Sequence, residues 1–438
     1  MTKKQISEFR EAVYQKVTCR PDVILDLIDA VTVAGHVSSP VAMSESPVFR
    51  RKFSSVYDAL KHGELKENLK ELLSESQDAD WETIAGFEIH AIDATPNERM
   101  AAETLPDRGA LKAQQKEPVR YGHKYSWLVR LVQSGTSWVA PEDIERIRTD
   151  TTDTKVAAEQ VKGLAERNKR PKVITADSRY RDKYFLGAFV GLENTYALVR
   201  LQNNQKLSQE PEPKPAGSRG APPKHGADFQ LTAIVRQPDA SEEFFLGKQK
   251  VRVRVWHKLH FKRIPKIAGS VVCVEFLKED GTPRYKRPLW LFWTGPDNIS
   301  PQNICRIYLW RFAIEHLFRF LKQHMGLNSN RSSSLQNLQR WMWLVALAYW
   351  QLLLMRHAVQ PDRPAWHPRK KDGQDKPLTP AQVQRSAQIF LVQSGTPAAH
   401  TRSAGKATGR QKGYRPTPRK RFDIVFKTKR VHKQPKNC

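Results

Sequence analysis

Cysteines, acidic residues and long apolar runs are all scarce in this chain, and each shortage removes a class of protein. The four cysteines, Cys19, Cys273, Cys305 and Cys438, stand far apart with no Cys-x2-Cys pair. That pattern supplies neither a zinc finger nor a disulfide framework, and it fits a reducing, cytoplasmic setting. The N-terminus leads into a polar amphipathic stretch and lacks the apolar core of a secretory signal. The one long apolar run, 341–355, is bracketed by Arg340 and Arg356 and is short for a bilayer span. It reads as a helix buried on all sides of a core, so no membrane association is expected. Hydrophobic residues make up 39% of 438 positions, enough for one sizeable core if some segments contribute little.

The acid shortage matters most. Asp and Glu total 45 against 73 Lys and Arg, a formal charge of +28. Such a surplus attracts a polyanion, nucleic acid before an anionic membrane. The excess is concentrated at the end of the chain, where 401–438 hold thirteen Lys or Arg and a single acid, Asp423. With many Pro and Gly and few apolar residues, 361–438 is expected to be a basic, largely disordered tail that touches DNA through phosphates.

Residues 1–80 show helical spacing of apolar residues (Ile6, Phe9, Val13, then Val23, Leu27, Ile28). They are expected to form a helical N-terminal domain, either binding DNA ends or serving as a lid. Strand patterns follow at 87–93, ended by the turn-prone Thr95-Pro96-Asn97, then at 125–132 and near Trp138. A helix at 155–167, a short buried strand at 172–176 ending on Asp177, and a strand near 196–201 complete an α/β pattern over 81–202. A Pro- and Gly-rich loop and a β-rich insertion occupy 203–283. In the insertion, alternation puts valines on one face and Lys250, Arg252 and Arg254 on the other, a face that could lie along DNA or be merely solvated. A hairpin strand and two long helices, 301–325 and 335–357, fill 284–360.

Within the first of those helices Tyr308, Arg311, Glu315 and Lys322 sit at offsets of 0, 3, 7 and 14. At about 100° per residue they form one stripe roughly 60° wide, beside the apolar face of Trp310, Ile314, Leu317, Phe318 and Leu321. A carboxylate lined up with two cations and a phenol suits a site that holds a metal and grips phosphates. This Tyr-x2-Arg-x3-Glu-x6-Lys spacing resembles the signature of a large group of bacterial insertion-sequence DDE transposases. The resemblance extends upstream, to Ile92-Asp93-Ala94-Thr95 at the first strand and Ile174-Thr175-Ala176-Asp177 at the fourth. It covers about 85–360 and departs at Ser178, beside the second Asp.

The resemblance implies a ribonuclease-H-like α/β core interrupted by a β-rich insertion, with Asp93, Asp177 and Glu315 as catalytic metal ligands. Tyr308, Arg311 and Lys322 would contact DNA phosphates. It implies cut-and-paste transposition with two Mg²⁺ ions (Mn²⁺ substituting), acting on double-stranded DNA at the element's terminal inverted repeats and at the target. A homodimer and a cytoplasmic, nucleoid-associated location are implied as well. The chemistry is coherent, since paired divalent ions and hard carboxylate ligands promote in-line attack on phosphorus. Two alternatives use the same residues differently: a nuclease of this fold without strand transfer, and a non-catalytic DNA-binding descendant. His90 and His123 read as structural, and Trp290 and Trp293 as core. Trp256 is a weak candidate for stacking on a flipped base.

Overall fold

A computed structural model describes residues 3–65, 68–78, 80–111, 118–213, 221, 223–360, 377–401 and 409–426. The remainder, including 402–408 and 427–438 of the basic tail and most of 214–222, lies outside the described residues. The principal strands are β1 (Phe87–Glu98), β2 (Arg120–Leu131), β3 (Val139–Ile147), β4 (Lys172–Ala176), β5 (Thr195–Arg200), β6 (Lys206–Gln209), β7 (Ala240–Leu246), β8 (Gln249–His260), β9 (Gly269–Leu277) and β10 (Leu289–Trp293). With three short strands they make one thirteen-stranded mixed sheet.

One half of the sheet has the order β3-β2-β1-β4-β5. The pairs β3/β2 and β2/β1 are antiparallel, while β1/β4 and β4/β5 are parallel. From β5 the sheet continues antiparallel through β10, β9 and β8, with β6 and β7 along the far side of β8. The β-rich insertion therefore extends the same sheet, and β6 lies within the stretch expected to be loop.

The helices are α1 (Lys3–Gln15), α2 (Pro21–Val33), α3 (Phe53–His62), α4 (Leu69–Glu75), α5 (Asp153–Arg167), α6 (Lys183–Gly187), α7 (Pro301–Trp310), α8 (Ala313–Gln323), α9 (Leu335–Met355) and α10 (Pro380–Ser394). Residues of α5 and α6 join the core on one face of the sheet, while α1–α4 and α7–α10 join the larger core on the other. The apolar run 341–355 is α9, buried along nearly its whole length. No described helix is long and apolar enough to cross a membrane. The N-terminal helices share this core with α9 and do not close on one of their own: Phe9 stacks on Trp350, and Thr32 reaches the Ala348 carbonyl.

Several expected functions of single residues give way to packing. Trp256 is 2% exposed, donates its indole N–H to the Arg236 carbonyl and sits against Trp290 and Phe229, so no base can stack on it. The basic face of β8 is paired with acids across the sheet. Lys250 and Arg252 pair with Glu243 of β7 (2.8 and 2.7 Å), and Arg254 pairs with Glu275 of β9 (3.0 Å). Alternation within one strand cannot reveal acids on its neighbours.

A glycine fixes the connection after α8. Gly326 has φ +61°, and an added Cβ would stand 2.6 Å from the Val37 Cβ and 2.7 Å from its carbonyl oxygen. Gly326→Ala should therefore combine left-handed strain with a steric clash, costing about 2–4 kcal/mol. Gly135, also at positive φ but with open space around it, should cost about 1 kcal/mol as Ala. Urea unfolding of both variants checks the difference; equal losses would mean that packing against Val37 is irrelevant.

Candidate active site

Strand register brings the two aspartates together. β4 pairs with β1 in parallel from Glu88↔Lys172 to Ala91↔Thr175. Continuing that register by two residues sets Asp93 opposite Asp177, at the point where the strands cease to pair. Neighbouring strands are about 4.8 Å apart, so the two carboxylates share one end and one face of the sheet. Crevices beyond the carboxyl ends of parallel strands are the usual ligand positions in α/β sheets.

The local structure differs from the expectation at Asp93. Thr95-Pro96-Asn97 does not end the strand, which runs on to Glu98 paired with β2 (Pro96↔Lys124). Past Ala91 β1 has lost its β4 neighbour, so Pro96 occupies a local edge, where a missing N–H is tolerated. Asp177 caps a short 3₁₀ turn, Ser178–Tyr180, its Oδ1 accepting the Arg179 N–H at 2.8 Å.

Electrostatics register the crowding. Burial, then the charge of Asp177, push the Asp93 carboxyl up to about 6. The Ala94 N–H (2.8 Å) and the cations Arg311 and Arg179 oppose that rise. Tyr180, fully buried beneath the site, is held well above its ordinary range by burial and by the charges of Asp93, Asp153 and Asp177.

The expected single helix 301–325 is broken. At the α7–α8 junction the amides of Arg311, Phe312, Ile314 and Glu315 bond carbonyls three residues back (3.1–3.3 Å), a tightened 3₁₀-like turn. Residues three apart eclipse in such a turn. Arg311 accordingly lies over the Tyr308 ring, 5.8 Å from its centroid. The stripe therefore survives in altered form. Arg311 Nη2 donates to Glu315 Oε1 at 2.8 Å, while Nη1 stands 3.8 Å from Asp93 Oδ2 and, though buried, has no hydrogen-bond partner. Lys322 is drawn into the same field. Burial lowers its pKa, opposed by the charges of Glu98 and Asp93. Burial raises that of Tyr308, and Arg311 moderates the effect.

Asp93, Asp177, Tyr308, Arg311 and Lys322 thus act on one another electrostatically, and Glu315 is joined to Asp93 through Arg311. The three carboxylates are not closed into a cage. Among the described residues no group of three or more His, Cys, Asp or Glu side chains is placed to hold a metal ion. Asp93 and Asp177 nevertheless fit a hard divalent cation. Both offer carboxylate oxygens, and the charge of Asp177 adds to burial in raising the Asp93 carboxyl, a repulsion that a cation between them would relieve.

Three further residues belong to the site. Asp153, the first residue of α5, accepts from Arg179 Nη1 (2.5 Å) and from Lys124 Nζ (3.4 Å). Burial alone would raise its carboxyl, but these two cations hold it below the usual range. Asp153 thereby holds two cations at the flank of the aspartate pair. The sequence marks Thr152-Asp153 only as a helix start, because its partners lie on β2 and in the turn after β4. His90 and His123 are both buried. His90 is buried against Glu142 (2.8 Å) and His123 faces the Pro106 carbonyl (3.0 Å).

Residues 141–351 match the family model of the transposase DDE domain. The match takes in Asp177, Tyr308, Arg311, Glu315 and Lys322 and begins beyond Asp93. Comparison with curated proteins finds no match.

Proposed function

We propose that this protein cuts and rejoins the DNA ends of a mobile element by metal-dependent phosphodiester hydrolysis and transesterification, in a cut-and-paste reaction. The reading is supported above all by the Asp93–Asp177 pair where β1 and β4 part, with Glu315 on a following helix tied to it by Arg311. The strand order β3-β2-β1-β4-β5, with two antiparallel and two parallel pairings, agrees with a ribonuclease-H-like core. In that core the first and fourth strands carry the acids.

Asp93 and Asp177, joined by Glu315, would hold the divalent cation, Mg²⁺ or Mn²⁺. When bound, such ions activate a water or a 3′-hydroxyl and stabilise the departing oxygen. The chain's own residues do the rest. Arg311 Nη1, buried and unbonded, is an open donor for a phosphate oxygen. Lys322 and Arg179 bring positive charge to a strand whose backbone the aspartates would otherwise repel. Tyr308 props the Arg311 guanidinium from beneath. The DNA partner is the element's double-stranded termini and the target, bound by a homodimer that bridges two ends in the cytoplasm, at the nucleoid.

The test uses duplexes carrying the inverted repeats that flank the gene, with Mg²⁺ added. Cleavage at the repeat boundary and joining of a pre-cut 3′-end to a second duplex are expected. Cleavage without joined products would make the protein a nuclease of the same fold, and binding with neither product would remove the catalytic reading altogether.

A further inference from the structure

The last described stretch, 409–426, divides into an anchor and an arm. The anchor, 422–426, adds to an exposed sheet edge. Phe422 N–H donates to the Glu103 carbonyl and Val425 N–H to that of Arg108 (both 2.8 Å), and Val425 bridges in parallel to Gly109. Arg108 Nη2 returns a bond to the Phe422 carbonyl (3.3 Å), Arg421 pairs with Glu103 (3.2 Å), and the Phe426 ring meets Tyr121 edge-on at 6.0 Å. The arm is the reverse in every respect. From 409 to 421 each residue is exposed, and six are basic: Arg410, Lys412, Arg415, Arg419, Lys420 and Arg421. The stretch contains no acid and no aliphatic side chain beyond prolines. Among the described residues only Arg421 of the six has a carboxylate partner. Pro416 and Pro418 hold the arm extended, so that it cannot collapse onto itself.

The position of the anchor gives the arm its meaning. Gly109 pairs with Gly122, and Gly122 with Glu98, five residues beyond Asp93 on the same strand. At about 3.3 Å per residue and 4.8 Å per strand, the anchor lies on the order of 20 Å from Asp93, at the same end of the sheet. We propose that 409–421 is a phosphate-gripping arm, pinned by strand addition at the sheet edge on the side of Asp93, that lies along the backbone of duplex DNA entering the site. This rests on the transposase reading above. It assigns to the tail a fixed origin and a location, where composition alone suggests a free polycation. Anchoring is what makes the arm effective, because a tethered, extended cation row loses less freedom on binding than a loose one.

The test measures binding of a fluorescein-labelled 30-bp duplex of arbitrary sequence by anisotropy, in EDTA, over a salt series. Each neutralised phosphate contributes about 0.9 to the slope of log K against log salt. Changing all six basic residues to Gln should flatten that slope by about 3–5 units and weaken binding at least about 30-fold at 100 mM salt. Val425→Pro removes the N–H bonded to Arg108 but keeps every charge. It should leave the slope within about one unit while weakening binding about 3–10-fold. Both changes lie on exposed chain, and an unchanged melting temperature confirms folding. A six-Gln variant with native affinity and slope would overturn the arm, and a Val425→Pro variant binding as the parent does would overturn the anchoring. If the parent fails to bind duplex at low salt, the arm falls together with the DNA reading. Metal-dependent cleavage surviving beside an unaffected six-Gln variant would sink the arm alone.

Discussion

Asp177→Asn is expected to abolish DNA strand cleavage, by on the order of 10³-fold or more, and at the same time to stabilise the metal-free protein near neutral pH. Both effects come from one arrangement. Two carboxylates meet where β1 and β4 part, and burial together with the charge of Asp177 lifts the Asp93 carboxyl to about 6. Asp93 therefore binds its proton more tightly in the folded chain than in the unfolded one, where a carboxyl titrates near 3.9. Its contribution to stability is fully present below pH 4 and is lost as the pH rises through about 6, a change on the order of 2–3 kcal/mol. Asp177→Asn removes one of the two causes and leaves burial, so part of that loss should disappear. The measurement is chemical denaturation in EDTA from pH 4 to 8. The variant should gain on the parent steadily across pH 4–6 and keep the gain above it. A constant difference across that range would show that the two carboxylates do not interact. Glu315→Gln should lose cleavage as severely without this pH signature, because its link to Asp93 runs through Arg311. Cation-dependent cleavage that survives either substitution would refute the site.

The second large effect concerns the buried ion pair that joins the N-terminal helices to the rest of the core. Arg10 of α1, 2% exposed, pairs with Asp29 of α2 at 2.5 Å and also reaches the Gly395 carbonyl after α10. Gln351 of α9 completes the Asp29 carboxylate at 3.0 Å. Burial pushes the Asp29 carboxyl up, and Arg10 offsets part of that rise. Arg10→Met would leave the carboxylate buried with one neutral partner, a loss of about 3–5 kcal/mol. The deficit should shrink as the pH falls, since a protonated Asp29 needs no counter-charge. The double variant Arg10→Met, Asp29→Leu should regain much of the loss. A single variant as stable as the parent at pH 8 would mean that this contact does not tie α1 to the core.

Much of the strand and helix pattern was legible in advance. The buried run 172–176 is β4 to the residue, and 341–355 lies in α9 as a core helix. The misreadings share a cause. Thr95-Pro96-Asn97 reads as a terminator, although proline ends a strand only where a neighbour needs its N–H. The spacing from Pro301 predicts one helix through Arg311, because hydrophobic periodicity does not register a single tightened turn. The partners that bury Trp256 and pair the Lys250–Arg254 face, Arg236, Glu243 and Glu275, lie on other strands or loops and leave no mark in the local sequence.

What the sequence determined by itself was local or additive: the charge surplus, the helix and strand periods, and the spacing of Tyr308, Arg311, Glu315 and Lys322. Each is set within a few turns or by counting. Only the tertiary structure decided that Asp93 faces Asp177, that Arg311 stands between Asp93 and Glu315, and that Asp153 holds Arg179 and Lys124 beside them. It also decided that part of the basic tail is pinned to the sheet edge near the site. Those facts depend on register between segments far apart in the chain, where a slip of one residue would turn every side chain to the other face.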